Sequence, residues 1–142
     1  MIDSHCHLNF PKISRDLKNI IKRCKENGVS KLLTINTNPY EFEKHLNLIK
    51  DFKDIYISYG IHPQEVNNDS YLSFDEINKY TSNSKLIGLG ETGLDFYYKN
   101  DFKDRQFEIF RTHIEASIET KLPIIIHQRH SEDEIIDIIN SY

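Results

Sequence analysis

Short apolar runs and longer amphipathic stretches alternate along the whole chain, and no other feature constrains its fold as tightly. Residues 1–7, 31–36, 55–60, 85–91 and 124–127 are brief, contain Ile or Leu, and read as strands. Between them apolar side chains recur at helical spacing. Ile13, Leu17, Ile20, Ile21 and Cys24 mark a helix over residues 11–27, ended by Gly28. Phe107, Phe110, Ile114 and Ile118 mark a long one over 101–121, stopped by Pro123. Ile135, Ile136, Ile138 and Ile139 mark a last one reaching Tyr142. Helix starts are marked too. Asn38-Pro39-Tyr40-Glu41 offers an N-cap, a proline at the first helical position and an acid at N3, for a helix to about Phe52. Ser73 with Glu76, and Ser131 with Glu134, have the capping-box spacing; the first opens a helix to about Ser82. Five strands and five helices in strict succession predict an α/β fold of βα units with a parallel sheet, in one domain, residues 1–142.

Parallel strands with short βα loops place their C-terminal ends on one face, where residues distant in sequence meet. Those ends carry His5 and His7, then His62, Glu91 and His127. Alternation along an extended strand puts Asp3, His5 and His7 on one face and Ile2, Ser4 and Cys6 on the other. His-x-His then presents two imidazole nitrogens to one point, a donor set suited to a metal such as zinc. One carboxylate among three or four imidazoles describes a two-cation site with Glu91 as the bridge. Spacing alone leaves plainer readings open. His5 and His7 fit the polar face of a half-buried strand, His62 a local hydrogen bond beside Pro63, Glu91 a solvated strand end, and His127 a satisfied core histidine. His45, His113 and His130 are expected at the surface or in packing, and Cys6 as a small hydrophobe against the helices.

Composition narrows the function classes. A net charge of −4 provides no general basic footprint for nucleic acid, so any phosphate must be met at a local site. Cys6 and Cys24 lack the spacing of a disulfide framework or zinc ribbon, which fits a reducing, cytoplasmic location. No apolar run approaches the ~20 residues of a membrane span. Gly88-Leu89-Gly90-Glu91-Thr92-Gly93 matches G-x-G-x-x-G, but a dinucleotide site requires a helix opening in that loop and an acid after the next strand. Residues 92–98 read as a loop, so no nucleotide cofactor is expected.

Four ordered motifs, Asp3-Ser4-His5-Cys6-His7-Leu8, Gly60-Ile61-His62-Pro63, Gly90-Glu91-Thr92-Gly93-Leu94-Asp95-Phe96-Tyr97 and Leu122-Pro123-Ile124-Ile125-Ile126-His127-Gln128-Arg129, resemble the TatD family of metal-dependent deoxyribonucleases. The resemblance implies a TIM-barrel hydrolase, of which residues 1–142 correspond to the first five of eight βα units. It implies two divalent ions (Zn, Mg or Mn): His5 and His7 hold one, His127 the other, and Glu91 bridges them as the catalytic carboxylate. His62 and Arg129 then face the phosphate, while Asp95 and the aromatics Phe96–Tyr98 shape the mouth. The implied reaction is hydrolysis of a DNA phosphodiester by metal-activated water, at strand ends or on single strands. Alternatives within the resemblance are ester or amide hydrolysis in the same superfamily, or a non-catalytic remnant. A family member continues through a sixth strand with a further metal-binding His and an eighth with an Asp, so the five-unit chain alone is expected to be weak or inactive.

Overall fold

The computed structural model describes residues 1–98 and 101–142. At its centre are five parallel strands, β1 (Ile2–Cys6), β2 (Lys31–Thr34), β3 (Ile55–Tyr59), β4 (Leu86–Asp95) and β5 (Ile124–Arg129), ordered in space as in sequence. The connections hold α1 (Pro11–Ser14), α2 (Leu17–Glu26), α3 (Phe42–Ile49), α4 (Phe74–Asn78), α5 (Lys103–Thr120) and α6 (Glu132–Asn140), with short 3-10 turns at Pro39–Glu41 and Pro63–Glu65. Successive parallel neighbours joined by helical crossovers curl one way, and the sheet is a half-barrel of the TIM type.

Its outer face is covered because strand and helix periodicities meet there. Leu32, Ile55, Ile57 and Tyr59 of β2 and β3 pack on Leu17 and Ile21 of α2, Phe42 and Ile49 of α3 and Ile77 of α4. The Phe42 ring stands edge-on to Tyr59, centroids 4.8 Å apart, and 4.6 Å from Tyr80. A second cluster, Leu94, Phe110, Ile114, Ile135 and Ile138, fastens α5 and α6 to the β4–β5 edge. The capping box at Ser73 forms both bonds, Glu76 N–H to Ser73 Oγ (3.3 Å) and Ser73 N–H to Glu76 Oε2 (3.0 Å).

Several elements depart from the sequence reading. The expected helix over 11–27 is broken between Ser14 and Leu17, and Asp16 stands at the N-cap position of α2, its carboxylate accepting the Asn19 side-chain amide at 2.6 Å. Ser131 makes no capping bond; its hydroxyl donates instead to the Leu94 carbonyl at 2.9 Å, tying the start of α6 to β4. Ile118 is exposed, as are Ile136 and Ile139. The largest departure is β4, which does not stop at Glu91 but pairs on through Thr92, Gly93, Leu94 and Asp95 with residues 126–129 of β5. Glycine makes this possible. At Gly93 (φ +137°) a Cβ would lie 2.1 Å from the His127 carbonyl oxygen, and at Gly90 (φ +126°) 2.3 Å from that of Ile125. The glycines of the G-x-G-x-x-G string therefore serve close strand approach, and no helix opens there.

Two histidines are buried in the helical layer, as expected of packing residues, whereas His130 lies outside the core. His45 Nε2 lies 2.9 Å from Thr34 Oγ1, and His113 Nδ1 lies 2.8 Å from the Ile109 carbonyl and 3.1 Å from Thr92 Oγ1. Burial pushes both down to about 4. In the unfolded chain each titrates near 6.5, so between pH ~6.5 and ~4 the unfolded state binds protons that the folded state refuses, and stability falls with pH. A depression of this size corresponds to roughly 3 kcal/mol for each ring. Urea unfolding at pH 7 and pH 4.5 should show the loss, and His113→Gln should reduce it. Equal pH dependence in wild type and variant would contradict the assignment.

Candidate metal centre

Bulges aim the carboxylate and the first histidine. Between Asp3 and Cys6 of β1, and between Leu89 and Thr92 of β4, the register slips by one residue against the neighbouring strand. Such an extra residue bends a strand and redirects a side chain, here His5 and Glu91. Strict alternation therefore does not hold along β1: the Asp3 carboxylate turns back to accept the His5 backbone N–H at 3.1 Å. The two imidazoles converge nevertheless, ring centroids 5.3 Å apart. Behind them His7 is stacked on Phe10 at 4.9 Å.

Glu91 is buried to 8% exposure between two groups of potential ligands. Its Oε2 faces His5 Nε2 at 3.4 Å, and its Oε1 faces His127 Nδ1 at 3.2 Å and His62 Nε2 at 3.9 Å. In each triad, His5–His7–Glu91 and His62–Glu91–His127, the donor atoms lie within 4.8 Å of one another. Burial opposes ionisation of Glu91, but the His127 hydrogen bond and the neighbouring imidazoles outweigh it and hold its pKa below the ordinary value. A carboxylate ionised at neutral pH, with one oxygen toward each histidine group, fits a pair of divalent cations.

The hydrogen-bond partners sort the histidines further. His127 Nε2 lies 3.1 Å from Asp95 Oδ2, so its Nδ1 is the atom left to face Glu91. The Glu91 bond first, then Asp95, raises its pKa despite burial. This is the carboxylate–histidine arrangement that orients a metal ligand. His62 is different. Its Nδ1 accepts the Gln64 backbone N–H at 3.1 Å. In the neutral ring, which burial and His127 favour by pushing the pKa down to about 4, the proton therefore sits on Nε2. His62 thus turns an N–H toward the centre, its Nε2 3.1 Å from His127 Nδ1.

Other expected residues are displaced from their predicted places. Asp95, anticipated at the mouth, is 3% exposed beneath His127, because β4 runs on past Glu91 and turns its last carboxylate inward. It accepts from Gln64 Nε2 (2.7 Å) and the Tyr97 backbone N–H (3.0 Å), which with His127 hold it ionised against its burial. Phe96 turns toward Phe107 and packs under Lys103 Nζ, 4.1 Å from its ring. Tyr97 and Tyr98 do lie exposed, with the Arg129 guanidinium 3.6 Å and 4.9 Å from their centroids. Gln64 and Gln106 were not anticipated. Gln106 accepts the Asp95 N–H at 2.9 Å and donates to the Pro63 carbonyl at 3.2 Å, joining β4 to the His62 turn. Its signal in sequence is a polar residue in line with Ile109, Phe110 and His113 on the buried stripe of α5.

Cys6 lies on the opposite side of β1, packed against the helical core, with its thiol donating to the Leu33 carbonyl at 3.3 Å and pushed up to about 12, mainly by burial. Cys6→Ala should leave metal stoichiometry unchanged by elemental analysis; loss of an ion would show that Cys6, not the histidine pair, faces the centre.

Residues 2–142 match the family model described as TatD related DNase. An uncharacterized metal-dependent hydrolase of Buchnera aphidicola from Baizongia pistaciae is 38% identical over 98% of this chain and 53% of its own length. The metal-dependent hydrolase YabD of Bacillus subtilis is 29% identical over 98% of this chain and 54% of its own. The crystal structure of the Escherichia coli TatD homologue YjjV superposes with a TM-score of 0.86 at 27% identity, covering 94% of this chain and 52% of that one. The chain spans about half the length of the relatives it matches. No helix of the described residues is long and apolar enough to cross a membrane.

Proposed function

Since the chain belongs to the family of TatD-related DNases, whose relatives are metal-dependent hydrolases, we propose that its strand-end cluster is the N-terminal share of a centre that hydrolyses DNA phosphodiesters. The observation that carries the reading is Glu91, buried with one carboxylate oxygen toward His5 and the other toward His127. His5 and His7 with Glu91 would hold one divalent cation, and His127 with Glu91 a second. Bound there, Zn, Mg or Mn supplies Lewis-acid neutralisation of phosphoryl charge and activation of water.

The remaining residues divide the other tasks. Asp95 keeps a proton on His127 Nε2 and thereby reserves Nδ1 for the centre. His62 offers its Nε2–H to a non-bridging phosphate oxygen, and Arg129 can grip the same group through two parallel N–H donors. Tyr97 and Tyr98 offer exposed faces on which an unpaired base can stack, so a DNA end or single strand is the preferred form of substrate.

The test is a chimera that joins residues 1–142 to the part of YjjV beyond the matched region, incubated with Mg, Mn or Zn and end-labelled single- and double-stranded DNA. Metal-dependent release of nucleotides, abolished by Glu91→Gln and shifted to higher KM by Arg129→Ala, is expected. Intact DNA alongside turnover of a carboxylic ester or amide would place the chain in another branch of the hydrolase superfamily. No turnover of either, with metal bound, would leave a non-catalytic binding module.

A further inference from the structure

Three buried polar atoms beside the end of β1 lack any hydrogen-bond partner: Nδ1 of His7, Oδ1 of Asn9 and Nδ1 of His45. Buried polar atoms are costly when left unpaired, so a cluster of three calls for a partner. They share a neighbourhood. Asn9 follows His7 by two residues, and Asn9 and His45 line one cavity of about 410 Å³ between the loop after β1 and α3. After burial, the His7 ring is the next cause that lowers the pKa of His45.

Proton bookkeeping defines what each atom offers. Thr34 Oγ1 accepts the Leu8 N–H at 3.0 Å and lies 2.9 Å from His45 Nε2. Its own hydrogen has no other acceptor among the described residues, so the hydroxyl donates to Nε2 and the neutral His45 ring carries its proton on Nδ1. His45 is therefore a buried donor. His7, holding a cation through Nε2, must likewise carry its proton on Nδ1, which makes a second buried donor. Asn9 Oδ1, with two lone pairs, is an unpaired acceptor two residues on from His7 and on the cavity that His45 also lines.

We propose that Asn9 is the positioning residue of His7: on metal loading its Oδ1 accepts the His7 Nδ1–H, and His45, anchored by Thr34, supplies the second donor that keeps the amide so turned. The assignment rests on the reading of His7 as a metal ligand. It adds to the centre an outer hydrogen bond of the kind that fixes ring orientation and strengthens a histidine ligand, and it extends the centre's support through Thr34 to the helical layer.

The experiment is chelator-competed Co(II) and Zn(II) titration of the 142-residue chain as wild type, Asn9→Ala and Asn9→Asp, following the visible cobalt absorption, with thermal melts of each metal-free protein. Asn9→Ala should bind about 10–100-fold more weakly. Asn9→Asp, which keeps the acceptor and adds charge, should bind at least as tightly as wild type and regain its cobalt spectrum. A purely structural role would instead lower the metal-free melting temperature without selective rescue by aspartate. Wild-type binding with Asn9→Ala within twofold of it overturns the assignment and leaves the metal reading standing. If Asn9→Ala does not fold, Asn9→Asp decides, and binding weaker than wild type overturns the assignment. A wild type that takes up no cation overturns both.

Discussion

Replacing Glu91 by alanine is expected to weaken divalent-cation binding by more than about 100-fold, since outer partners of metal ligands alone are worth 10–100-fold and Glu91 sits among the ligands themselves. The size of the effect follows from its position. It is the one residue common to both triads, and its two oxygens are divided between His5 and His127. Without it, two cations would face histidines with no shared negative charge between them, and mutual repulsion would oppose double occupancy. Glu91→Gln keeps the shape and tests the charge. His5→Ala with His7→Ala should remove most of one ion, because two donors leave together. Elemental analysis after gel filtration, with circular dichroism to verify folding, reads each result. Equal metal content in wild type, Glu91→Ala and the double variant would show that the cluster is not a metal centre.

Much of this centre was legible in the sequence because its chemistry is carried by residues that punctuate strands. His5, His7, His62 and His127 stand within three residues of a strand end, and Glu91 stands where β4 was expected to end, so the alternation of strand and helix already directs attention to them. What spacing could not reveal is backbone irregularity. The β4 strand was expected to end at Glu91 because Gly90 and Gly93 read as loop residues, yet they are where the chain passes too close to β5 for any Cβ. The consequence was a misplaced Asp95, expected at the mouth and found buried behind His127. The bulges that direct His5 and Glu91 leave no local mark, since an extra residue in one strand is defined only by its partner. The capping pattern at Ser131 misled for a related reason: a long-range acceptor, the Leu94 carbonyl, took the hydroxyl. The roles of His62 and His127 were separable only through Gln64 and Asp95, which determine where each ring carries its proton.

The 142-residue chain taken alone is expected to self-associate and to show little or no nuclease activity, whereas the same residues extended by three further βα units should run as a soluble, active protein. Among the described residues the sheet has two open edges, since β1 pairs with β2 alone and β5 with β4 alone. An unpaired edge is a template for another chain. Near those edges apolar side chains stand in solvent: Ile2 beside β2, and Ile118, Ile136 and Ile139 on the last two helices. A complete barrel of this type takes about 250 residues and closes its strands into a ring, and the relatives matched here are about twice as long as the chain. In the proposed arrangement, His127 and Glu91 would give a second cation two donors among the described residues, because His62 directs a proton there, and removing members of a cooperative catalytic group abolishes most of its rate. Size-exclusion chromatography with light scattering, run beside a metal-supplemented DNA digestion, tests both halves. Species larger than 16.8 kDa with negligible cleavage are expected from the chain alone, and a monodisperse active protein from the extended one. A 16.8 kDa monomer that cuts DNA at an enzyme's rate, and stops doing so on Glu91→Ala, would mean that five strands and the ligands they carry make a sufficient catalytic unit.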